Sequence, residues 1–153
     1  MKKNKVVFFA IGLLTLTMFI YTSCSNSSSN IITGIFEYPN QLANKGIGPI
    51  KELKLEALDT LLAADGKNYF GQKCVACHRF DMRLNGPPLN GVTKRRSPEW
   101  IMNMILNPAE MIQSDPIAKD IFSKLNIPMV FQDVNNDETR AILEYLRQND
   151  SKK

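Results

Sequence analysis

Four stretches after residue 58 carry apolar residues at the three- and four-residue spacing of an α-helix. They predict helices over residues 59–72, 97–106, 115–125 and 136–148. No segment alternates apolar and polar residues for long enough to build a β-sheet. The pattern therefore predicts an all-α fold, and a chain of 153 residues has room for one domain.

The residues at the predicted helix starts agree with this spacing. Ser97 and Asp115 are each followed by proline, which combines a preferred N-cap residue with the residue best suited to the first helical position. Asp59 is the predicted N-cap of the first helix, and Asn135 or Asn136 that of the last.

The first predicted helix contains a glycine at its centre. Gly66 costs about 1 kcal/mol there relative to alanine, which indicates that another part of the chain packs very close to the backbone. The apolar side of this helix is expected to carry Leu61, Leu62, Tyr69 and Phe70.

The first 23 residues differ in character from the rest. Lys2, Lys3 and Lys5 precede an uncharged apolar run over residues 6–21, as in a signal peptide. A retained membrane anchor is the competing interpretation, but the run is short for a spanning helix, which needs about 20 apolar residues. We interpret residues 1–23 as a signal peptide, and in either case the chain is exported.

The sequence Thr22-Ser23-Cys24 resembles a bacterial lipobox, in which the cysteine is acylated and becomes the first residue of the mature protein. We therefore expect lipidation at Cys24, with ordinary cleaved export as the alternative. Residues 24–57 are interpreted as a lipid-anchored flexible tether and an irregular extension that lies on the domain. The expected location is the periplasm or cell envelope of a Gram-negative bacterium, attached to a membrane.

The basic charge of the sequence is concentrated in the predicted signal peptide. The chain has 19 basic and 15 acidic residues, and residues 1–23 hold three Lys and no acid, which leaves 16 and 15. The formal net charge thus falls from +4 to +1, so no nucleic-acid partner is indicated.

The motif that indicates a cofactor is Cys74-Val75-Ala76-Cys77-His78. Two cysteines three residues apart, followed by histidine, indicate covalent attachment of a c-type haem, with His78 as the iron ligand. A structural zinc site would need four ligands, and beyond this string the chain has only Cys24 and no second histidine. A redox dithiol would be expected beside a βαβ pattern, and chance occurrence of the string is the remaining alternative.

Two further patterns make the chain resemble a class I cytochrome c over about residues 58–148. Gly66, Phe70 and Cys74 follow at four-residue spacing, and Gly86-Pro87-Pro88-Leu89-Asn90-Gly91 is similar to the family's Gly-Pro-x-Leu-x-Gly sequence. The resemblance implies a small cytochrome c fold with crossed N- and C-terminal helices around one covalently attached haem. The corresponding domain is residues 58–150.

The resemblance also implies roles for residues around the haem. The Pro87 carbonyl would accept the Nδ1 proton of His78, and Leu89 would pack on the haem, unless this segment is a simple surface turn. Arg95 or Arg96 would pair with a haem propionate, a solvated face being the alternative. For Trp100, a hydrogen bond to a propionate and simple burial are both open.

The sixth iron ligand is expected to be a methionine. The first two methionines belong to the signal peptide, and Met82 is too near His78 in the sequence to reach the opposite face of the haem. Met102 and Met104 lie within a predicted helix. These exclusions leave Met111 and Met129. The resemblance implies Met129, because the family places its distal methionine in the loop before the last helix.

A His/Met pair leaves no open position on the iron, which favours electron transfer over enzymatic turnover. We expect a carrier with transient redox partners, no small-molecule substrate and a membrane contact through its lipid. Residues 96–108 are similar to envelope cytochromes of Bacteroidetes-type bacteria, some associated with nitrous oxide reduction, so such a reductase or another terminal reductase or oxidase is the expected partner. The alternatives are a haem enzyme or ligand sensor, and a fixed haem subunit of a larger complex.

Overall fold

The computed structural model describes residues 41–152. The predicted signal peptide, Cys24 and the first part of the predicted tether lie outside the described residues. Between residues 41 and 152 the chain is helical, without a β-strand, and its one isolated β-bridge joins Gln41 and Arg96. The all-α prediction is therefore confirmed. None of the helices in this range is long and apolar enough to span a bilayer.

Six helices occupy the described range. They are α1 (Thr60–Lys73), α2 (Val92–Arg95), α3 (Pro98–Leu106), α4 (Pro108–Ser114), α5 (Pro116–Leu125) and α6 (Asn136–Ser151). Two of them, α2 and α4, were not expected. Pro108 ends α3, as predicted, but it also occupies the first turn of α4, where the missing N–H of proline costs nothing.

The predicted N-caps hold the helix starts. The side chain of Asp59 accepts hydrogen bonds from the N–H groups of Leu61 and Leu62, and Ser97 accepts one from Trp100. Asn135, rather than Asn136, begins the last helix by a reciprocal capping box with Glu138. Each cap satisfies backbone donors that the helix itself cannot satisfy.

Helices α1 and α6 cross at Gly66. A Cβ atom built on Gly66 would lie 1.9 Å from the Ala141 carbonyl oxygen, so the two backbones are in direct contact. Next to the crossing, the ring of Phe70 stacks on Phe80 at 5.3 Å and meets Tyr145 edge-on at 5.4 Å. The close approach inferred from the mid-helix glycine is thus the crossing of the first and last helices.

The prediction that Leu61 belongs to the apolar side of α1 is wrong. Leu61 is 81% exposed, whereas Ala63, Gly66 and Phe70 are buried. Residues 61 and 63 are about 200° apart around an α-helix, so a stripe centred on Gly66 and Phe70 turns Leu61 toward solvent.

Residues 41–58 form an irregular extension that lies on α3 and α4. Asn103, which is fully buried, holds it by donating hydrogen bonds to the carbonyls of Lys45 (2.9 Å) and Ile50 (2.8 Å) and accepting one from the Ile50 N–H (2.9 Å). Ile47, Ile50 and Leu53 pack against the hydrophobic core. Over these residues the irregular extension is therefore folded with the domain.

A buried carboxylate joins the start of α1 to α6. Glu144 is fully buried, accepts the N–H of Asp59 at 2.9 Å and pairs with Arg140 and Arg147 at 2.5 and 2.7 Å. Burial raises the pKa of Glu144, but the Asp59 N–H and the two guanidinium groups outweigh it, and the net pKa is lowered. The ionised carboxylate therefore stabilises the folded state.

The substitution Gly66→Ala is expected to destabilise the holoprotein by about 3 kcal/mol, because its methyl group meets backbone atoms of α6 that cannot move aside. Gly71→Ala on the same helix is the matched control, since a Cβ at Gly71 has no atom within 4 Å. Denaturant unfolding should show the control unchanged or more stable by up to about 1 kcal/mol. Equal stability of the two variants would contradict the crossing described.

The substitution Glu144→Gln should cost about 3 kcal/mol at neutral pH, because it leaves two guanidinium groups without their anion. The folded-state pKa of Glu144 is lowered, so its contribution is complete above the ordinary carboxyl pKa of about 4.3 and is lost as pH falls through the lower folded value. Unfolding curves of both proteins should converge below that value. A stability difference that does not change with pH would rule out an ionic role.

Candidate cofactor site

An apolar cavity lies between α1, α3 and α6 and is lined in part by the loops after α1 and α5. Seven of the eight cofactor-binding residues expected from the sequence line it, and the eighth, Cys77, lines an adjoining cavity. The complete lining consists of Phe70, Cys74, His78, Pro87, Pro88, Leu89, Val92, Arg95, Arg96, Trp100, Ile101, Met104, Ile105, Ile121, Met129, Ile142 and Leu146.

The adjoining cavity shares four lining residues with the first, namely Cys74, His78, Pro87 and Met129. The two cavities are therefore parts of one cleft, which reaches the surface at the exposed Cys77. His78, the single histidine of the chain, borders both cavities, and so does Met129.

The Cys74–His78 turn continues directly from α1. The N–H of Cys74 donates to the Phe70 carbonyl at 2.9 Å, and the N–H groups of Cys77 and His78 donate to the Cys74 carbonyl at 3.1 and 2.9 Å. These bonds bring Cys74 and His78 into the cavity and leave Cys77 at its rim. Helix α1, held at Gly66, thus positions all three side chains.

Burial keeps two of these groups uncharged. Burial, together with the neighbouring Cys77, raises the pKa of the Cys74 thiol to about 11. Burial also lowers the pKa of His78, against the opposing effect of the Pro87 carbonyl. A neutral imidazole is the form that ligates a metal.

The loop after the turn fixes the orientation of the histidine ring. His78 Nδ1 lies 3.1 Å from the Pro87 carbonyl oxygen, so Nδ1 is the protonated nitrogen and Nε2 keeps its lone pair. Gly86 packs against the ring, since a Cβ there would be 2.3 Å from His78 Cε1. Gly86 was not among the expected site residues, although its position directly before Pro87 could have indicated that it lies against the histidine ring.

Two arginines reach the cavity from the end of α2. Arg95 donates to the Asn90 carbonyl at 2.5 Å, while Arg96 is buried and lies over the Trp100 ring, 5.4 Å from its centroid. One of these two arginines was expected to pair with a haem propionate, and both border the cavity.

The propionate role considered for Trp100 is wrong in this structure. Its indole N–H donates to Asp115 Oδ1 at 3.0 Å, and the side chain is only 5% exposed. The ring still forms part of the cavity wall. Burial, the other interpretation, agrees with this geometry.

The two candidate distal methionines have different surroundings. Met129 lies in the cleft, half-buried, on the irregular segment between α5 and α6. Met111 is fully buried elsewhere in the core, and its sulfur accepts the Ile47 N–H at 3.0 Å. Met111 therefore helps to hold the extension and lines neither part of the cleft.

These residues fit a haem. The cleft offers a neutral imidazole, a thioether sulfur, two thiols, apolar walls and two guanidinium groups for the propionates. Within residues 41–152, no three His, Cys, Asp or Glu side chains are grouped to hold a metal ion, so the zinc interpretation gains no support. The all-α fold likewise lacks the βαβ unit expected around a redox dithiol.

Comparisons with known proteins agree with this site. The family model described as "Cytochrome c" matches residues 63–150, whereas no curated protein matches the chain. The solved structure of a cytochrome c from Rhodothermus marinus is 43% identical, with a TM-score of 0.68, and the match covers 69% of this chain and 92% of that one.

Two structures of one engineered form of the Rhodothermus marinus cytochrome c are also similar. Rma TDE is 43% identical (TM-score 0.66, 68% of this chain and 91% of that one), and its structure bound to a carbene intermediate is 44% identical (TM-score 0.64, the same coverage). From the family model, the fold and the cleft together, the chain belongs to the cytochrome c family, with haem c as its cofactor and electron transfer as its role.

Proposed function

We propose that this protein is a monohaem electron carrier attached to a membrane of the Gram-negative cell envelope. Cys74 and Cys77 hold the haem covalently, and His78 and Met129 ligate its iron. The observation that carries the proposal is that His78 and Met129 border both parts of the same apolar cleft.

When bound, the haem supplies a one-electron couple, and a His/Met ligand pair raises its reduction potential. The chain keeps both ligands in place during the reaction. His78 is fixed between the Pro87 carbonyl and Gly86, and the apolar walls keep water away from the iron. Little reorganisation therefore accompanies the gain or loss of an electron.

The rim of the cleft is the expected route for electrons. Cys77 is exposed there, and the same cavity is bordered by Ile127 and Val130, which are 45% and 62% exposed. Small exposed apolar patches of this kind suit brief docking to a redox partner rather than a permanent interface. A fixed place in a larger complex is the competing possibility.

The partner is proposed to be a terminal reductase or oxidase of the envelope, and a nitrous oxide reductase is one such acceptor. This part rests on the similarity of residues 96–108 to envelope cytochromes. Export by residues 1–23 and acylation at Cys24 would hold the carrier close to membrane-bound partners.

The substitution Met129→Ala should abolish the red absorption band that reports charge transfer from methionine to ferric iron, because it removes the sixth ligand. The midpoint potential should fall by at least ~59 mV, a tenfold change in the one-electron equilibrium. The reduced variant should also bind carbon monoxide rapidly, whereas the unaltered protein should not.

Met104→Leu is the control for this test, because Met104 borders the same cavity from within α3. It should retain the band and the potential. If Met104→Leu loses the band, or Met129→Ala keeps it, the ligand assignment is wrong. Rapid carbon monoxide binding by the unaltered protein would favour a haem enzyme or ligand sensor.

The substitution Cys24→Ser should move the protein from the membrane to the soluble periplasmic fraction, since it removes the residue that would be acylated. Detergent phase partition of envelope fractions measures the change, with haem absorbance as the label. A variant that has lost residues 1–23, as checked by its mass, and still stays in the membrane fraction after a high-salt wash would contradict a lipid anchor at this residue.

A further inference from the structure

Asp115 is a buried carboxylate directly behind the wall of the haem cleft. It is 2% exposed and accepts four hydrogen bonds. Oδ1 accepts from Trp100 Nε1 at 3.0 Å and from the N–H groups of Ile117 and Ala118 at 3.0 and 2.9 Å, and Oδ2 accepts from Asn44 Nδ2 at 2.7 Å.

All four of these described partners are neutral donors. A group surrounded only by donors is in its acceptor-only form, which for an aspartate is the ionised carboxylate. Burying a charge is costly unless it is fully hydrogen-bonded, and here both oxygens are satisfied. The site therefore holds a negative charge, shielded from solvent, without an ion pair to a described lysine or arginine.

Capping α5 does not by itself require this charge. Ser97 caps α3 with a neutral hydroxyl, and it too is followed by proline at the first helical position. What distinguishes Asp115 is its bond to Trp100, a residue that borders the cleft in which the haem would lie. Asn44, in the irregular extension, completes the arrangement from the outside.

We propose that Asp115 is a positioning residue that fixes Trp100 in the cleft wall and lowers the reduction potential of the haem through its buried charge. A fixed negative charge favours the ferric iron, which carries one more positive charge than the ferrous iron. Water does not screen this charge, because the carboxylate is buried. The inference rests on the proposed electron-carrier function and assigns part of its potential to Asp115 and Asn44.

The test compares Asp115→Asn with Asp120→Asn in the holoprotein. Each change removes one negative charge, from the N-cap of α5 and from within α5, respectively. The Asp120 side chain, however, is 47% exposed and pairs at the surface with Lys124. The midpoint potential should rise in Asp115→Asn and stay near the starting value in Asp120→Asn. Trp100 is the only tryptophan, so its single indole N–H resonance in the reduced protein reports the hydrogen bond directly, and it should shift only in Asp115→Asn.

Two further variants keep the test decisive if Asp115→Asn folds poorly. Asn44→Ala retains the charge but opens Oδ2 to water, so the potential should rise by a smaller amount. The double variant Asn44→Asp with Asp115→Asn returns one buried charge to the same pair and should bring the potential back toward the starting value.

The proposal is overturned if Asp115→Asn, or Asn44→Ala in its place, keeps the starting potential while the methionine charge-transfer band persists. Asp115 would then cap α5 and hold Trp100 without setting the reduction potential. That result leaves the carrier function intact, whereas loss of the band in the unaltered protein would defeat the carrier function itself.

Discussion

The backbone contact between the first and last helices at Gly66 is the constraint on which the rest of the structure depends. Because Gly66 has no side chain, α1 lies directly against the Ala141 carbonyl, and this fixes where α1 ends. The Cys74–His78 turn continues from that end by hydrogen bonds to Phe70 and Cys74. The position of the candidate iron ligand is therefore set by a helix crossing rather than by the loop that surrounds it.

The other side of the site is built from segments distant in the sequence. Gly86 and Pro87 hold the His78 ring, Met129 comes from the segment before α6, and the cleft wall includes Trp100. Polar side chains in the core connect these parts, as Glu144 does for α1 and α6 and Asp115 does for Trp100 and the extension. Each is fully hydrogen-bonded, which is what permits a charge in the interior.

The sequence predicted the features that depend on local chemistry. Asp59, Ser97 and Asp115 cap helices as expected, because an N-cap acts on residues two or three positions away. Of the features set by tertiary packing, it predicted the close approach at Gly66 but missed others. The exposure of Leu61 and the bond from Trp100 to Asp115 depend on how the helices are arranged, and no local pattern encodes that arrangement.

Nuclear magnetic resonance of the reduced holoprotein with labelled methionine methyl groups identifies the sixth iron ligand. A methionine bound to haem iron lies over the porphyrin, so ring current shifts its methyl resonance far upfield. We predict one such resonance, assigned to Met129, in a protein whose haem stays attached after denaturation. The absence of that resonance, its assignment to Met104 or Met111, or a haem that denaturant extracts would contradict this prediction.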